Sequence, residues 1–459
     1  MYEKHLKVID ESSKEICNIS DSLWDNPETS FEEYYAADTI CAFLEKCGFE
    51  ITRGIAGIPT AFTAVFGSGK PSLGILAEYD GLSGESQKAD LAEKSPIENK
   101  DKNHSCGHNL FAGGSVAAAL AVKSFITEKG SGKITLFGCP GEESGAGKVY
   151  MARDGVFNEI DAVVSWHPER MYMVRTRPAL ASFTVDYEFE GIASHAGASP
   201  HMGRSALDAV EIMNIGANFL REHMPLSARV HYAITDAGGY APNIVQSHAR
   251  VKYMLRDVDL ESLLDLKRRV DLISEGAALM TETKVKSRVI SSYASLVTIP
   301  TLQKTADEAM RDIEIPVPTE EEIDFANALR ETMTLTKEQK ASRPYADRVL
   351  TPAPPVAHGG STDTADVSWN TPTVQMHIGT WTVGTPGHSW QSEAQGKGTY
   401  AKRAMLYAGK AVAGTIMRLF DNPELIKAAR EEHKEKTLGG YVCGLASDVM
   451  PNIPANKTK

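Results

Sequence analysis

The fold is indicated most directly by residues 104–126, HSCGHNLFAGGSVAAALAVKSFI. From Phe111 to Ile126 the residues are small or apolar on nearly every side of a helix, up to Lys123. A helix that is apolar all round is buried rather than amphipathic. Short apolar runs that predict buried strands lie at about 61–66, 72–77, 134–137 and 162–165. Strands that alternate with helices predict an α/β fold, with a mixed, largely parallel sheet flanked by helices.

The hydropathy pattern changes at about residue 182. From Phe183 to Phe189, apolar residues alternate with polar ones, which is typical of a half-exposed antiparallel strand. Helices and strands then follow at about 204–223, 229–235, 247–256, 261–281 and 284–290. The order β-α-β-β-α-β is that of a ferredoxin-like α+β unit. We therefore predict an inserted domain at 182–294 between two parts of a larger domain, 1–181 and 295–459.

Composition limits the function classes. The 459 residues are 42% hydrophobic and 24% charged, as in ordinary globular proteins. The formal net charge is −12, so binding to the phosphate backbone of nucleic acid is not expected. The amino terminus lacks a signal-peptide pattern, no run of about 18 apolar residues predicts a membrane span, and six cysteines are too few for a disulfide framework. We expect a cytoplasmic protein with a small-molecule substrate.

Ligand-type side chains directly follow three of the predicted strands: Asp80, Glu142, Glu143 and His167. In open α/β sheets, ligands bind outside the carboxyl ends of the strands. These side chains are therefore expected to face one crevice. Each has an ordinary alternative, since a Glu-Glu pair is often a solvated charge and His167 precedes a proline in a loop-like context.

Cys106 and His108 lie on the loop before the buried helix and are expected to reach the same edge. A thiolate, imidazoles and a carboxylate suit Zn²⁺, Mn²⁺ or Co²⁺ better than Mg²⁺ or Ca²⁺. The side chains of adjacent residues such as Glu142 and Glu143 cannot point in the same direction. One of them can therefore bind metal while the other remains a base. Taken alone, Cys106 is more often an inert buried thiol than a metal ligand.

These segments together resemble the di-metal amidohydrolase and exopeptidase family of aminoacylases, carboxypeptidase G and auxin-conjugate hydrolases. Within it, the chain is most similar to the branch of p-aminobenzoyl-glutamate hydrolase B subunits. The matching segments are GILAEYD at 74–80, HSCGHN at 104–109, FGCPGEE at 137–143, SWHP at 165–168, SHAG at 194–197 and HGGSTD at 358–363. The resemblance covers nearly the whole chain and includes the inserted domain, which it identifies as a lid and dimerisation domain beside a catalytic domain.

The resemblance implies two divalent metal ions per subunit, Mn²⁺ or Zn²⁺ with Co²⁺ as an alternative. It assigns the metal ligands to Cys106, His108, Glu143, His167 and His388. It also makes Glu142 the general base that activates the water between the ions. Spacing alone does not single out His388, which without the resemblance reads as a loop histidine.

The resemblance also assigns residues that contact the substrate. His195 would stabilise the oxyanion, usually from the partner in a dimer, while Asn243 and Arg256 would bind a substrate carboxylate. Backbone amides at Gly359 and Gly360 would approach the same end of the substrate. The alternatives are a strand-end histidine, a salt bridge between Arg256 and its neighbour Asp257, and a plain flexible turn at the glycines.

Two departures from the family pattern stand out. Related branches have a His-x-Asp pair where this chain has Glu78-Tyr79-Asp80, so Asp80 is expected to orient a metal ligand and the role of Glu78 is undefined. Asn109 stands where the auxin-conjugate branch has Asp, which favours the aminobenzoyl-glutamate branch.

The expected function is metal-dependent hydrolysis of an amide bond next to a free carboxylate, with N-acyl or N-aroyl amino acids such as p-aminobenzoyl-glutamate as substrates. One alternative is a dipeptidase of the same fold, acting on peptides with a basic or small carboxy-terminal residue. Another is a non-catalytic subunit that binds a ligand or partner. The expected assemblies are a homodimer through the lid and a heteromer with a paralogous A-type subunit.

Overall fold

The computed structural model describes residues 2–351 and 360–454. Its helices are α1 Glu3–Glu11, α2 Ser13–Asp25, α3 Tyr34–Lys46, α4 His108–Lys129, α5 Gly147–Arg153, α6 Ala206–Leu220, α7 Leu260–Thr281, α8 Pro300–Arg311, α9 Glu320–Glu331, α10 Lys337–Ala341, α11 Thr364–Asn370, α12 Trp390–Gln395, α13 Thr399–Asp421 and α14 Pro423–Lys436. Its strands are β1 Glu50–Arg53, β2 Phe62–Ser68, β3 Ser72–Glu78, β4 Leu82–Ser83, β5 Lys102–Asn103, β6 Gly132–Cys139, β7 Ala162–Glu169, β8 Met173–Val174, β9 Ala181–Glu190, β10 Arg229–Asp236, β11 His248–Asp257, β12 Lys284–Tyr293 and β13 Thr373–Gly379.

A seven-stranded sheet in the order β1-β2-β6-β3-β7-β13-β8 forms the centre of the main unit, residues 2–180 and 294–454. The inner strands β6, β3, β7 and β13 are parallel, while β1, β2 and β8 pair antiparallel at the edges. Parallel strands are buried on both faces, and every residue of β3 is buried. The predicted mixed, largely parallel sheet flanked by helices is confirmed.

Small residues let α4 pack closely against its neighbours. A Cβ added at Gly114 would lie 2.5 Å from the Trp166 ring, and one at Gly113 would lie 2.4 Å from the sulfur of Met405. Interiors pack too densely to absorb such an overlap without movement of the neighbours. The glycines therefore fix how far the amino-terminal end of α4, which carries His108, stands from β7 and α13.

The apolar character of α4 comes from its place in the core. By length and composition it is the one helix in the described ranges that could cross a membrane, with a mean hydropathy of 1.6 over its best window. That window is 83% buried inside the protein, as expected for a core helix. The cytoplasmic location stays a prediction.

A second sheet, in the order β10-β11-β9-β12, is entirely antiparallel and belongs to residues 181–293, which we call the inserted unit. Alternate residues of β11 are buried, and they pack with α6 and α7 into a separate hydrophobic core. The chain order β-α-β-β-α-β is the one predicted for a ferredoxin-like unit. The predicted domain boundaries fall within one residue of the start of β9 and the end of β12, and the division into domains stays a prediction.

Several predicted element boundaries were wrong. The hydrophobic pattern predicts one helix from Leu6 to Trp24, but the structure has two, α1 and α2, divided at Ser12. The sequence also predicts a helix from Ser30 to Cys47, but the helix starts at Tyr34, because Phe31 has a φ of +65° and its N–H donates to the Glu33 carboxylate. His167 lies within β7, not after it, because pairing with β13 extends that strand to Glu169. The run 352–355, which reads as a Pro-rich linker, lies outside the described residues.

Candidate metal centre

The loop before α4 brings Cys106 next to β7. Gly107 has a φ of +78°, and an added Cβ there would lie 3.0 Å from Pro168, so the tight turn requires glycine. This turn places Sγ of Cys106 3.6 Å from Nε2 of His167. One donor atom from each of Cys106, His108 and His167 lies within 4.8 Å of the others. That spacing is the one expected for side chains that share an ion.

Asp80 fixes the orientation of His108. Its Oδ1 lies 2.9 Å from Nδ1 of His108, and its backbone oxygen lies 3.0 Å from the same nitrogen. Its other carboxylate oxygen accepts the backbone N–H of Glu143 at 2.9 Å. Burial by itself raises the pKa of Asp80, but the charge and hydrogen bond of His108, the backbone N–H of Glu143 and the charge of Lys148 together outweigh it, and the pKa lies below its usual value. Nε2 of His108 therefore points away from Asp80, as in a metal-binding imidazole held by a carboxylate.

The side chains of the adjacent residues Glu142 and Glu143 belong to two different groups of possible metal ligands. Glu143 groups with Cys106 and His388, and its Oε1 lies 3.5 Å from Nε2 of His388. Glu142 groups instead with Glu78 and His108. Burial, followed by the charges of Glu78 and Asp363, raises the pKa of Glu142 well above its usual value. A carboxylate whose pKa is raised is a stronger base than an ordinary one, which is what a general base requires.

His388 is the most exposed of the five predicted ligands, with 54% of its side chain accessible. It has a φ of +54° and lies just before α12, whose first turn is capped by the Ser389 hydroxyl. A non-glycine residue with positive φ is uncommon and points to a local constraint. In this protein, the residue with the positive φ is also the one whose imidazole lies close to Glu143.

The donor set fits a pair of borderline divalent cations. Cys106 belongs to two groups of three donor residues, one with His108 and His167 and one with Glu143 and His388. Nε2 of His108 and Oε1 of Glu143 are both buried without a hydrogen bond of ordinary geometry in the described ranges. Buried polar atoms normally have partners, and sulfur, nitrogen and carboxylate donors together suit Zn²⁺, Mn²⁺ or Co²⁺. These residues therefore fit metal ions as their missing partners.

Glu78, whose role the sequence leaves undefined, belongs to a buried network with Lys148 and Asp363. Nζ of Lys148 lies 2.8 Å from Glu78 and 2.6 Å from Asp363, and all three side chains are at most 1% exposed. Glu78 also lies 3.2 Å from Nε2 of His108. The sequence prediction missed Lys148 and Asp363. Only the matching segment at 358–363 pointed to Asp363, and a lysine in a short helix carries no signal.

The predicted substrate-binding residues divide into two groups. Arg256 and Gly360 line a cavity of about 890 Å³ that also contains Cys106, Glu142, Glu143 and His388. His195 and Asn243 are absent from its lining. They lie together on the inserted unit, where the backbone oxygen of Asn243 accepts the backbone N–H of Ala196 at 2.9 Å. His195 is not buried, and its Nδ1 accepts the N–H groups of residues 197 and 198. Gly359, the other predicted glycine, lies outside the described residues.

Asn109 does not take over the role of the carboxylate found in the auxin-conjugate branch. Its amide donates to the Ser20 hydroxyl at 3.0 Å and to the backbone oxygen of Gly396 at 3.0 Å. These contacts join α4 to α2 and to the turn after α12. His108 is held by Asp80 instead.

Comparisons with known proteins show similarity over nearly the whole chain. The model of peptidase family M20/M25/M40 matches residues 74–409. The chain is 39% identical to the B subunit of p-aminobenzoyl-glutamate hydrolase from Escherichia coli, over 97% of both chains. It is also 27% identical to the human Xaa-Arg dipeptidase, over 94% of this chain and 91% of that one.

Solved structures of low identity share the fold. An aminobenzoyl-glutamate utilization protein from Klebsiella pneumoniae superposes with a TM-score of 0.60 at 16% identity, over 90% of this chain and 97% of that one. A dinuclear metal-binding peptidase of the M20 family from Bacillus subtilis gives a TM-score of 0.55 at 18% identity, over 88% and 99%. With the family model covering most of the chain, the resemblance seen in the sequence is confirmed: the protein belongs to peptidase family M20/M25/M40, a family of metal-dependent hydrolases of amide bonds.

Proposed function

We propose that this M20 hydrolase cleaves an amide bond next to a free carboxylate, with N-aroyl glutamates such as p-aminobenzoyl-glutamate as its leading substrates. The observation that carries the proposal is the divergence of Glu142 and Glu143 into two donor groups at one sheet edge. Glu143 is then available to a metal ion while Glu142 stays free to carry a proton. The 39% identity to the B subunit of p-aminobenzoyl-glutamate hydrolase supports the substrate class.

We assign two divalent ions, Mn²⁺ or Zn²⁺, to Cys106, His108, Glu143, His167 and His388. When bound, such ions polarise the amide carbonyl and lower the pKa of water towards about 7. Glu142 takes the proton of the attacking water and returns it to the leaving nitrogen. Asp80 keeps Nδ1 of His108 occupied, so that Nε2 is presented to the ions.

The substrate is held between the two units. Arg256 binds its carboxylate, with its guanidinium positioned by a 2.9 Å hydrogen bond to the Ser361 hydroxyl, and Gly360 lies beside it. Met171, Met173 and Met254 line the same cavity. Thioether side chains adapt to aromatic rings and make favourable contacts with them, which suits an aroyl group.

His195 acts in the site of a partner subunit, where it stabilises the oxyanion with Asn243 beside it. The supporting observation is that both residues lie outside the cavity of their own chain. The inserted unit also presents an edge strand, β10, on which Tyr232 and Ile234 are 37% and 45% exposed. An edge strand with apolar side chains is a template for pairing with a second copy. A homodimer through this unit would complete the site, and a heteromer with an A-type subunit is the other assembly to test.

A dipeptidase is the second candidate function, because the similarity to the human Xaa-Arg dipeptidase covers 94% of this chain. Hydrolysis rates on p-aminobenzoyl-glutamate and on dipeptides ending in arginine or glycine separate the two. We expect the aroyl-glutamate to be the better substrate by kcat/KM. Faster hydrolysis of the dipeptides would replace the leading proposal.

The mechanism is tested with purified protein loaded with Mn²⁺ or Zn²⁺ and with its Glu142→Gln variant. We expect kcat to fall by about 100- to 10,000-fold in the variant, the range of a lost general base. The metal content, measured by mass spectrometry, should stay at the wild-type level. Unchanged turnover in the variant would remove Glu142 from the mechanism, and no turnover by wild-type protein on any of these substrates would favour a non-catalytic subunit.

A further inference from the structure

Three arginines outside the predicted site also line the cavity. Arg170, Arg175 and Arg177 come from the end of β7 and from the segment that joins β8 to β9. With Arg256 they give the described lining of the cavity four guanidinium groups against three carboxylates, of which Glu142 and Glu143 belong to the proposed mechanism and Glu169 pairs with Arg170. A binding site for one carboxylate does not require that many cations.

The segment that carries Arg177 is tied to the residues around Arg256. Three residues after Arg177, the backbone N–H of Leu180 donates to the backbone oxygen of Gly360 at 3.1 Å. The oxygen of Leu180 accepts the Ser361 hydroxyl at 2.8 Å, and Ser361 in turn accepts from Nη1 of Arg256. A continuous chain of hydrogen bonds therefore ties the segment of Arg177 to the residues proposed to hold the substrate carboxylate.

The three added arginines differ in how their charges are satisfied. Arg170 pairs with Glu169 at 3.1 Å and donates to the backbone oxygen of Thr385. Arg175 donates to the Gln375 side chain at 2.7 Å. Nε of Arg177 is buried without a hydrogen bond, and Arg177 forms no ion pair within residues 2–351 and 360–454. A buried donor of a charged group without a partner is costly, so a ligand that supplies one is favoured.

We infer that Arg177 binds a second carboxylate, on the side chain of the amino acid that the enzyme releases. The inference rests on the proposed function and narrows it to N-acyl derivatives of dicarboxylic amino acids. Arg256 holds the carboxylate next to the amide, and Arg177 holds the one at the end of the side chain. A carboxylate accepts two parallel N–H groups from a guanidinium, which makes the contact specific as well as strong.

The same pair of arginines disfavours a basic leaving residue. An arginine side chain in this position would lie beside Arg177, and like charges brought together are a means of excluding the wrong substrate. A neutral side chain of equal size, such as glutamine, would leave the Arg177 guanidinium partly unsatisfied. The charge of the side chain, rather than its length, therefore decides the preference.

The test compares p-aminobenzoyl-glutamate with p-aminobenzoyl-glutamine, which differ by one charge at nearly constant size. Wild-type enzyme is expected to prefer the glutamate compound by about 10- to 100-fold in kcat/KM, the range of a charge-assisted contact. Arg177→Met should abolish this preference through the KM of the glutamate compound, and Arg177→Lys should retain part of it. Arg170→Met, which removes a guanidinium already paired with Glu169, should leave the ratio of the two substrates within about twofold.

Binding is measured separately by calorimetry on metal-loaded Glu142→Gln protein, with and without Arg177→Met. The glutamate compound should bind more tightly than the glutamine compound only when Arg177 is present. Equal affinities with Arg177 present, or an equal loss for both compounds without it, would overturn the inference. If wild-type protein hydrolyses neither compound, the proposed function fails, while the calorimetric preference still decides whether Arg177 recognises a second carboxylate.

Discussion

The main unit and the inserted unit contribute to the site in different ways. The main unit supplies donors that are mostly buried and that meet at one edge of its own sheet, as with Cys106, His108 and Glu143. The inserted unit supplies Arg256 to the cavity of its own chain, but it keeps His195 outside that cavity. A parallel sheet thus gathers remote residues within one chain, whereas His195 would reach a site only in the proposed dimer.

The largest expected effect concerns buried charge in the main unit. Lys148→Met would leave the carboxylates of Glu78 and Asp363 buried without their shared cation, so we expect a loss of about 3–5 kcal/mol in the free energy of unfolding. The matched variant in the inserted unit is Lys286→Met, which removes an exposed pair with Glu190. Its urea midpoint should stay at the wild-type value. Similar midpoints for both variants would contradict the contrast between the two units.

The next effect tests whether His195 acts across subunits. His195→Ala removes a donor to the oxyanion, so we expect kcat to fall by about 100- to 1,000-fold with the fold intact. Mixing this variant with Glu142→Ala through unfolding and refolding should restore activity to about a quarter of the wild-type level, because half of the dimers would carry one complete site. Mixed dimers that regain no activity would show that His195 does not serve the partner.

A smaller effect is expected at Asp80, which orients His108. Asp80→Asn keeps the size of the side chain but loses its charge, and metal affinity should weaken by about 10- to 100-fold. Asp161→Asn is the matched control, because Asp161 is also buried and accepts a backbone N–H, that of Ser72, at the opposite end of β3. Its metal affinity should equal that of wild type in a competition assay with a chromogenic chelator. An equal loss in both variants would mean that Asp80 acts only through stability.

The sequence predicted those parts of the fold and site that follow from hydrophobic periodicity or from the position of a residue at the end of a strand. The buried α4 and the inner strands follow from apolar runs, and Asp80 and Glu143 follow from the rule that ligands gather at the carboxyl ends of strands. The boundaries within the first 47 residues were less predictable, because a single residue such as Phe31 with positive φ moves the start of a helix. The helices α8, α9 and α14 were not predicted individually, although a Thr319–Glu322 capping box marks the start of α9 and prolines mark the starts of α8 and α14.

The residues that the sequence did not reveal share a physical reason. Lys148 pairs with Glu78 and Asp363, which are distant in the sequence, and the proposed role of Arg177 depends on the burial of its Nε; no local pattern records either feature. His388 emerged from the family resemblance alone, because it lies on a loop without periodicity. Conversely, the adjacent Glu142 and Glu143 were informative because their divergence follows from covalent geometry.

The most direct measurement is anomalous diffraction from crystals grown with Zn²⁺ or Mn²⁺ and recorded on both sides of the absorption edge of the metal. We expect two peaks in each protomer, both within bonding distance of the sulfur of Cys106, with His108 and His167 at one and Glu143 and His388 at the other. A well-ordered crystal with no anomalous peak among these side chains, or with ions bound only elsewhere, would contradict the assignment of this sheet edge as a metal centre.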